Sequence, residues 1–177
     1  MSASMHRVSV ASLIIAALST IPAVSCKPQS RPIINSANQI VGTQGFVIKA
    51  PDGFEERTAE KMLYHPGYRA SIRPAFEPGA NFDQKAAEFT ETNLTQQGMT
   101  LEEKRIDDIN GRKTMYVKGR RTQAPFPQIC VVTLFPAQNG CAQLIAIYPA
   151  DTAAEIAKSI DSAVTQATYG EVNKSSK

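Results

Sequence analysis

Two apolar segments near the C-terminal end of the chain constrain the fold more than any other feature. Residues 129–135 and 141–148 are apolar at nearly every position, and residues 136–140 between them have the composition of a turn. Strands that are apolar on consecutive positions lie inside a sheet, because both of their faces must avoid water. The pattern therefore predicts a central hairpin that is covered on at least one face.

Further strand signals lie on the N-terminal side of this hairpin. Five segments are rich in β-branched, aromatic or alternating residues and end at turn residues: 45–50, 61–65, 68–76, 104–109 and 112–121. Pro74 cannot donate to a sheet ladder, so it predicts an edge or interrupted strand at 68–76. Asn110-Gly111 predicts a hairpin turn between the last two segments, because both residue types accept positive φ.

Two helices are predicted from apolar stripes and capping residues. The first follows Asn81 or Asp83 as its cap and ends near Gly98. Its stripe is Ala86, Phe89, Asn93 and Leu94. The second begins with a capping box of Thr152 and Glu155 and ends at Gly170. Its stripe of packing residues is Ile156, Ile160, Ala163, Val164 and Ala167.

The order of these elements predicts the fold class. Three strands, a helix, four strands and a second helix follow one another along the chain. Strands joined by short turns pair antiparallel, and amphipathic helices cover the faces of such a sheet. The expected fold is an α+β layered sandwich, with a largely antiparallel sheet flanked by helices.

The N-terminal segment reads as an export signal. His6 and Arg7 precede an apolar run at 8–21, and Ala23-Val24-Ser25 supplies the small residues of a cleavage site. The run is shorter than the roughly 20 apolar residues that a stable membrane span needs. Residues 1–25 are therefore predicted to be a signal peptide that is removed.

Cys26 follows the small residues directly, as in the lipobox of bacterial lipoproteins. We expect it to be the lipidated first residue of the mature chain, although Ala23 stands where Leu is usual. The alternative is a plain exported protein with Cys26 at or near its start. Residues 26–41 then form a tether, 42–170 the folded domain and 171–177 a polar tail.

Three segments resemble the PsbP-like or Mog-type fold, and within it the DcrB-like bacterial envelope lipoproteins. They are FVIKAPDGF at 46–54, INGRK at 109–113 and LIAIYPAD at 144–151, in an order and spacing that cover residues 43–168. The resemblance implies a PsbP-like sandwich that acts by binding, since the members share no catalytic constellation. Lys27 departs from the Asp that usually retains such proteins in the inner membrane, so either membrane stays open.

Composition and residue counts argue against several function classes. A formal charge of +3 does not indicate a nucleic-acid partner. His65 is the one histidine after residue 25, so the sequence predicts no metal site and no Ser or Cys nucleophile with its base. The sequence has no Gly-rich turn before a helix, since residues 42–45 open a strand, and no cofactor site is predicted. Adjacent carboxylates at 55–56, 102–103 and 107–108 lie in polar sequence and indicate a solvated edge. The chain is predicted not to be an enzyme.

Cys130 and Cys141 are expected to be free, buried thiols. With residues 136–140 as the loop, Phe135 would face Cys141 and Cys130 would face Ala146. The two cysteines would then lie about five residues, or roughly 16 Å, apart along the hairpin. A disulfide needs Cα atoms within about 7 Å.

One basic run remains as a candidate binding surface. Residues 112–121 contain five basic residues and no acidic one. They are Arg112, Lys113, Lys118, Arg120 and Arg121. The functional interpretation is a surface for an anionic partner, such as lipid headgroups or an acidic protein, and the alternative is an ordinary exposed strand face.

These observations lead to a functional hypothesis. We expect an exported, lipid-anchored, non-enzymatic protein on the periplasmic face of a bacterial membrane. It would bind another envelope protein or membrane component, or assist envelope assembly. The alternative is a soluble periplasmic or secreted protein that binds a small molecule or peptide.

Overall fold

Ten strands and three helices make up the part of the chain that the computed structural model describes, residues 39–41, 45–109, 111–122 and 125–169. The strands are β1 (Gln39–Val41), β2 (Phe46–Ile48), β3 (Glu55–Arg57), β4 (Met62–His65), β5 (Ala70–Pro78), β6 (Met99–Ile109), β7 (Arg112–Arg121), β8 (Gln128–Ala137), β9 (Gly140–Pro149) and β10 (Thr168–Tyr169). The helices are α1 (Phe82–Glu88), α2 (Glu91–Gln96) and α3 (Ala154–Gln166).

The strands form two antiparallel sheets. Seven of them pair in the order β3-β4-β5-β9-β8-β7-β6, and β1-β2-β10 form a small second sheet. The predicted α+β class with a largely antiparallel sheet is confirmed. The apolar hairpin β8–β9 lies in the middle of the large sheet, between β5 and β7, as its composition predicted.

Both faces of the central hairpin are covered. One core contains Val131 and Leu144 together with Phe46 of β2 and Ile160 of α3. The opposite core contains the alternate residues of β8 and β9, packed against α1 and α2. Because successive strand residues point to opposite faces, continuous apolar sequence serves two cores at once.

The turn between β8 and β9 is tighter than the sequence suggested. The strands run to Ala137 and from Gly140, so the predicted five-residue loop is wrong. The register moves by one residue, and Cys130 lies opposite Ile147 instead of Ala146. Cys141 faces Pro136, six residues along β8 from Cys130. Both thiols are free and buried, which confirms the prediction made for them.

The first predicted helix is in fact two short helices. Asn81 caps α1, because its side-chain oxygen accepts hydrogen bonds from the backbone N–H groups of Asp83 and Gln84 at 2.9 and 3.2 Å. α1 ends at Glu88 with Phe89 as its C-cap, and Thr90 caps α2 through a 3.2 Å bond from the N–H of Asn93. The Gly98 N–H, two residues after the end of α2, donates to the Thr95 carbonyl at 2.9 Å.

The break between α1 and α2 is stabilised by side chains that satisfy carbonyl groups. Lys104 of β6 donates to the carbonyls of Ala86 and Phe89 at 2.8 and 3.0 Å. Asn93 donates through its side chain to the Glu88 carbonyl at 2.8 Å. The carbonyls of Ala86 and Glu88 also accept backbone bonds, from the N–H groups of Phe89 and Thr90 at 3.4 and 2.9 Å. The side chains therefore add to the capping of α1 and favour two short helices over one long helix.

The capping box predicted for the last helix is wrong. α3 begins at Ala154 with Ala153 as its N-cap, and no side chain caps it. The helix therefore starts one residue later than the box requires, and the Thr152 hydroxyl is buried without a hydrogen-bond partner. Its apolar stripe is confirmed, because Ile160 and Val164 are fully buried in the core that contains Phe46.

Pro74 lies in β5, which has a neighbouring strand on each side but is paired on both sides over only part of its length. β4 pairs with β5 only at residues 70–72, whereas β9 pairs with β5 from Ser71 to Pro78. Pro74 therefore faces β9 on one side, at Leu144, beyond the segment that β4 reaches. A proline is tolerated there because one side of the strand carries no ladder at that point.

The predictions for the two ends of the chain lie mostly outside the described residues. The signal peptide at 1–25, Cys26 and the tail at 171–177 are among them. Residues 39–41, which the sequence analysis placed at the end of the tether, form β1 and pair with β2. β10 pairs with the same strand, so the small sheet joins the two ends of the described domain.

Gly140 provides a test of the tight β8–β9 turn. Its φ is +153°, and a Cβ there would overlap the carbonyl oxygen of Glu77 and lie 3.0 Å from the Cα of Pro78. Gly140→Ala is expected to lower the free energy of unfolding by about 3 kcal/mol or more. Gly79→Ala is the matched control: its φ is +73°, nothing lies within 4 Å, and about 1–2 kcal/mol of backbone strain is expected. Equal losses in urea unfolding would contradict the turn geometry.

Candidate functional site

The five predicted basic residues all lie on β7, and strand alternation divides them between the two faces of the sheet. Arg112, Lys118 and Arg120 share one face, and Lys113 and Arg121 share the other. The structure therefore does not bring the five onto one surface.

Acidic neighbours neutralise three of these basic side chains. Lys113 pairs with Asp83 of α1 at 2.5 Å, and its ammonium lies 5.4 Å from the ring centre of Phe82. Two further pairs join Lys118 to Asp161 at 2.8 Å and Arg120 to Glu102 at 2.6 Å. A paired arrangement of this kind presents alternating charge instead of one basic patch.

The most elaborate polar arrangement is on the α3 side of the β6–β7 hairpin, which we call the hairpin face. It consists of Glu103, Arg105 and Asp107 from β6 and of Tyr116 and Lys118 from β7. The register places Glu103 opposite Lys118, Arg105 opposite Tyr116 and Asp107 opposite Thr114. A bulge between Leu101 and Glu103 precedes the face and sets this alternation.

Asp161 of α3 joins three elements at the inner border of the hairpin face. Its carboxylate accepts hydrogen bonds from the Tyr148 hydroxyl of β9 and from the Lys118 ammonium of β7, both at 2.8 Å. Its backbone carbonyl accepts a 2.6 Å bond from Thr165. Lys118 and Asp161 are each about one-quarter exposed, at 24 % and 23 %. The bonds to Tyr148 and Lys118 fix α3 relative to the sheet.

Arg105 covers the outer part of the hairpin face. Its guanidinium carbon lies 4.1 Å from the centre of the Tyr116 ring, a cation–π contact. The same guanidinium donates to Asp107 at 2.8 Å and also to Glu103. Arg105 is therefore held over a buried aromatic ring by two carboxylates of its own strand, and the face has a fixed shape.

Burial sets the protonation state of the two tyrosines. Desolvation, and then the carboxylate of Asp161, raises the pKa of Tyr116 above its ordinary value. Desolvation and the hydrogen bond to Asp161 raise the pKa of Tyr148 in the same way. Both hydroxyls therefore stay protonated well above neutral pH, and Tyr148 donates to Asp161 in this form.

The two cysteines are also held in their protonated form. Burial raises the pKa of Cys130 to about 12. Burial, and then the charge of Glu77, raises the pKa of Cys141. A thiol that is not ionised is a poor nucleophile, so these two side chains are suited to packing.

A second polar cluster lies on the opposite face, beneath α1, and the sequence analysis missed it. Lys85 is 2 % exposed and forms ion pairs with Glu77 of β5 and, at 3.4 Å, with Glu88. The Cys141 thiol lies nearby and donates to the carbonyl of Ala80 at 3.5 Å. The sequence signal for this cluster is the helical spacing. Lys85 lies three residues after Phe82, next to Ala86, on the buried side of α1.

His65 has a local structural role. Its Nδ1 accepts a 3.3 Å hydrogen bond from the backbone N–H of Tyr68, and its ring packs edge-on against Phe54 at 5.5 Å. Within residues 39–41, 45–109, 111–122 and 125–169, no three His, Cys, Asp or Glu side chains are grouped to hold a metal ion. No helix in these same ranges has the length and apolar character to cross a membrane.

The raised tyrosine pKa values predict a pH dependence of stability. A tyrosine whose pKa is higher in the folded state stabilises fully below its unfolded pKa of about 10, and this stabilisation is lost as the pH rises above that value. Relative to wild type, Tyr116→Phe/Tyr148→Phe is expected to lose less stability between pH 10 and 11. The difference should be about 1 kcal/mol per tyrosine over this interval. Urea unfolding at pH 9, 10 and 11 measures it, and parallel pH profiles would contradict the assignment.

No protein-family model matches the chain, and no curated protein matches it by sequence. Solved structures match it by shape. LpqN of Mycobacterium tuberculosis, described as involved in cell envelope biogenesis, is 14 % identical, with a TM-score of 0.51 over 72 % of this chain and 85 % of LpqN. Cyanobacterial PsbP (CyanoP) from Synechocystis is 13 % identical, with a TM-score of 0.51 over 84 % of this chain and 99 % of CyanoP. The likeness shows that this chain has the PsbP-like fold, as the sequence resemblance predicted.

Proposed function

We propose that the protein is an exported, non-enzymatic component of the bacterial cell envelope, anchored by lipid at Cys26, that binds another envelope protein. The observation that carries this proposal is the fold shared with LpqN, a protein described as involved in cell envelope biogenesis. The export signal at 1–25 and the adjacent Cys26 support the same location. A shared fold does not by itself assign a function, so the surface chemistry must agree with the proposal.

The chemistry of the described side chains supports binding over catalysis. Tyr116, Tyr148, Cys130 and Cys141 all have raised pKa values, so each is protonated near neutral pH. A catalytic base or nucleophile requires the opposite shift in a tyrosine or cysteine. Asp161 already accepts two hydrogen bonds, which suits a positioning role.

The hairpin face is the surface that we assign to the partner. Glu103, Arg105 and Asp107 remain 45, 38 and 44 % exposed although they bond to one another. Fixed charges of both signs discriminate between partners, because a wrong partner places like charges together. The favoured partner is a protein surface of alternating charge, since a uniformly anionic lipid surface would meet Glu103 and Asp107 unfavourably.

The anchor is tested by the intact mass of the protein recovered separately from membrane and soluble fractions. We expect a membrane-bound chain that begins at Cys26 and carries acyl groups. Cys26→Ser should lack the added mass, and no mature chain should be recovered from the membrane fraction. Cys130→Ser is the control and should keep the added mass and the membrane-bound mature chain. A soluble wild-type chain that begins at Cys26 without added mass would contradict the anchor and favour the free periplasmic binder.

The partner surface is tested by a photo-crosslinking residue introduced at position 103 in cells. We expect crosslinks from position 103 to a distinct envelope protein, and a several-fold loss of them when Arg105→Glu is added. The control position is 91, since Glu91 is exposed on α2 on the opposite face. Equal crosslinking from positions 91 and 103 to the same protein would contradict the assignment of the hairpin face.

A further inference from the structure

β6 forms one edge of the seven-stranded sheet and is eleven residues long. An edge strand presents a row of backbone N–H and C=O groups that another strand can pair with. Ile106 lies near the middle of the part of β6 that follows the bulge, and it is 48 % exposed. In the described part of the chain, Ile106 and Tyr68 are the exposed large apolar residues. The edge therefore offers both backbone groups and an apolar side chain.

The charges around Ile106 have a particular order. Lys104 and Arg105 precede it, and Asp107 and Asp108 follow it. At equal distances from the isoleucine, the residue before it is positive and the residue after it is negative, an arrangement that we call antisymmetric. Charges of any order would protect an edge strand from pairing, but an antisymmetric string is complementary to an antiparallel copy of itself.

From this edge we propose that two copies of the chain pair through β6, antiparallel, with a twofold axis at Ile106. The proposal goes beyond the proposed function and does not rest on it. A twofold interface uses the same residues on both copies. Seven strands from each copy would then form one continuous sheet.

Symmetry limits the register. A twofold axis between antiparallel edge strands is perpendicular to the sheet, so it keeps corresponding faces on the same side. Residues directly opposite each other in an antiparallel pair also point to the same face. If the axis passed between two consecutive residues, each residue would lie opposite one that points to the other face. The axis must therefore pass through one residue, which lies opposite its own copy.

Among the registers whose axis lies at residues 103–108, after the bulge, one avoids opposing like charges. An axis at Lys104, Arg105 or Asp107 places each of those residues against its own copy. An axis at Ile106 places Ile106 against Ile106 of the second copy, Arg105 against Asp107 and Lys104 against Asp108. Each charged pair occurs twice by symmetry, and the exposed apolar side chain is removed from water at the centre.

The Arg105–Asp107 contact is the pair that a charge exchange can test. Lys104 is already bound to the carbonyls of Ala86 and Phe89, whereas the carboxylate of Asp107 bonds Arg105 of its own strand at 2.8 Å. In the paired sheet each Arg105 has the Asp107 of the second copy directly across from it. The strand's own ion pair then extends across the axis to the second copy.

The register is tested with single cysteines in the full-length protein. Directly opposite residues have Cα atoms about 4.5–5.5 Å apart, within the range that a disulfide spans. Ile106→Cys is expected to give a covalent dimer under mild oxidation. Asp108→Cys is the matched control, because the two copies of that residue lie about 13 Å apart in the proposed register. A dimer from both variants, from wild type, or from neither would overturn the register.

The charge pairing is tested by sedimentation equilibrium in detergent. Asp107→Arg places arginines opposite each other and is expected to weaken dimerisation tenfold or more. Arg105→Asp/Asp107→Arg exchanges the two charges and should restore the dissociation constant to within about threefold of wild type. A wild-type protein that is monomeric at 100 times its cellular concentration would overturn the proposal. A crosslink from position 106 to a different protein in cells would also overturn it.

Discussion

Burial of the β8–β9 hairpin on both faces is the constraint on which the rest of the structure depends. A sheet that is apolar on two sides needs two covers, and the chain supplies them from different parts of its sequence. α3 and the small sheet cover one side, and α1 and α2 cover the other. The polar arrangements are displaced from this centre, to the β6–β7 edge and to the border beneath α1.

The Asp161 cluster shows how the fold couples a cover to the sheet. The carboxylate on α3 bonds Tyr148 in the central strand β9 and Lys118 in the more peripheral strand β7. Apolar packing holds a helix against a sheet with little directional preference, whereas these bonds specify an angle and a position. The hairpin face obtains its fixed geometry from this connection.

The sequence predicted those strands and helix faces whose signal is a local, periodic pattern of residues. The strand at 112–121 has the predicted bounds, and the apolar stripe of α3 is buried as expected. The predictions that were wrong concern element boundaries, such as Thr152 and the start of β6 at Met99 instead of residue 104, and contacts made from a distance. β3, a strand of three residues, carries too little pattern and was not predicted. The break between α1 and α2 depends on Lys104, which comes from a strand after the helices in the sequence. The Tyr148–Asp161–Lys118 cluster depends on the strand order and on the position of α3, and neither can be deduced from the local spacing of residues.

The pairing of β5 with β9 has a consequence for how the chain acquires its structure. Ser71 pairs with Ile147 and Pro78 with Gly140, so a central ladder of the large sheet joins distant parts of the sequence. Such non-local pairing slows folding, because a long loop must close before the contact stabilises it. A chain that emerges from its N-terminus can pair residues 70–72 of β5 with β4, but it leaves residues 73–78 unpaired until β9 follows. The sheet closes late, and any factor that shields an apolar strand during that interval would determine how much protein reaches the native state.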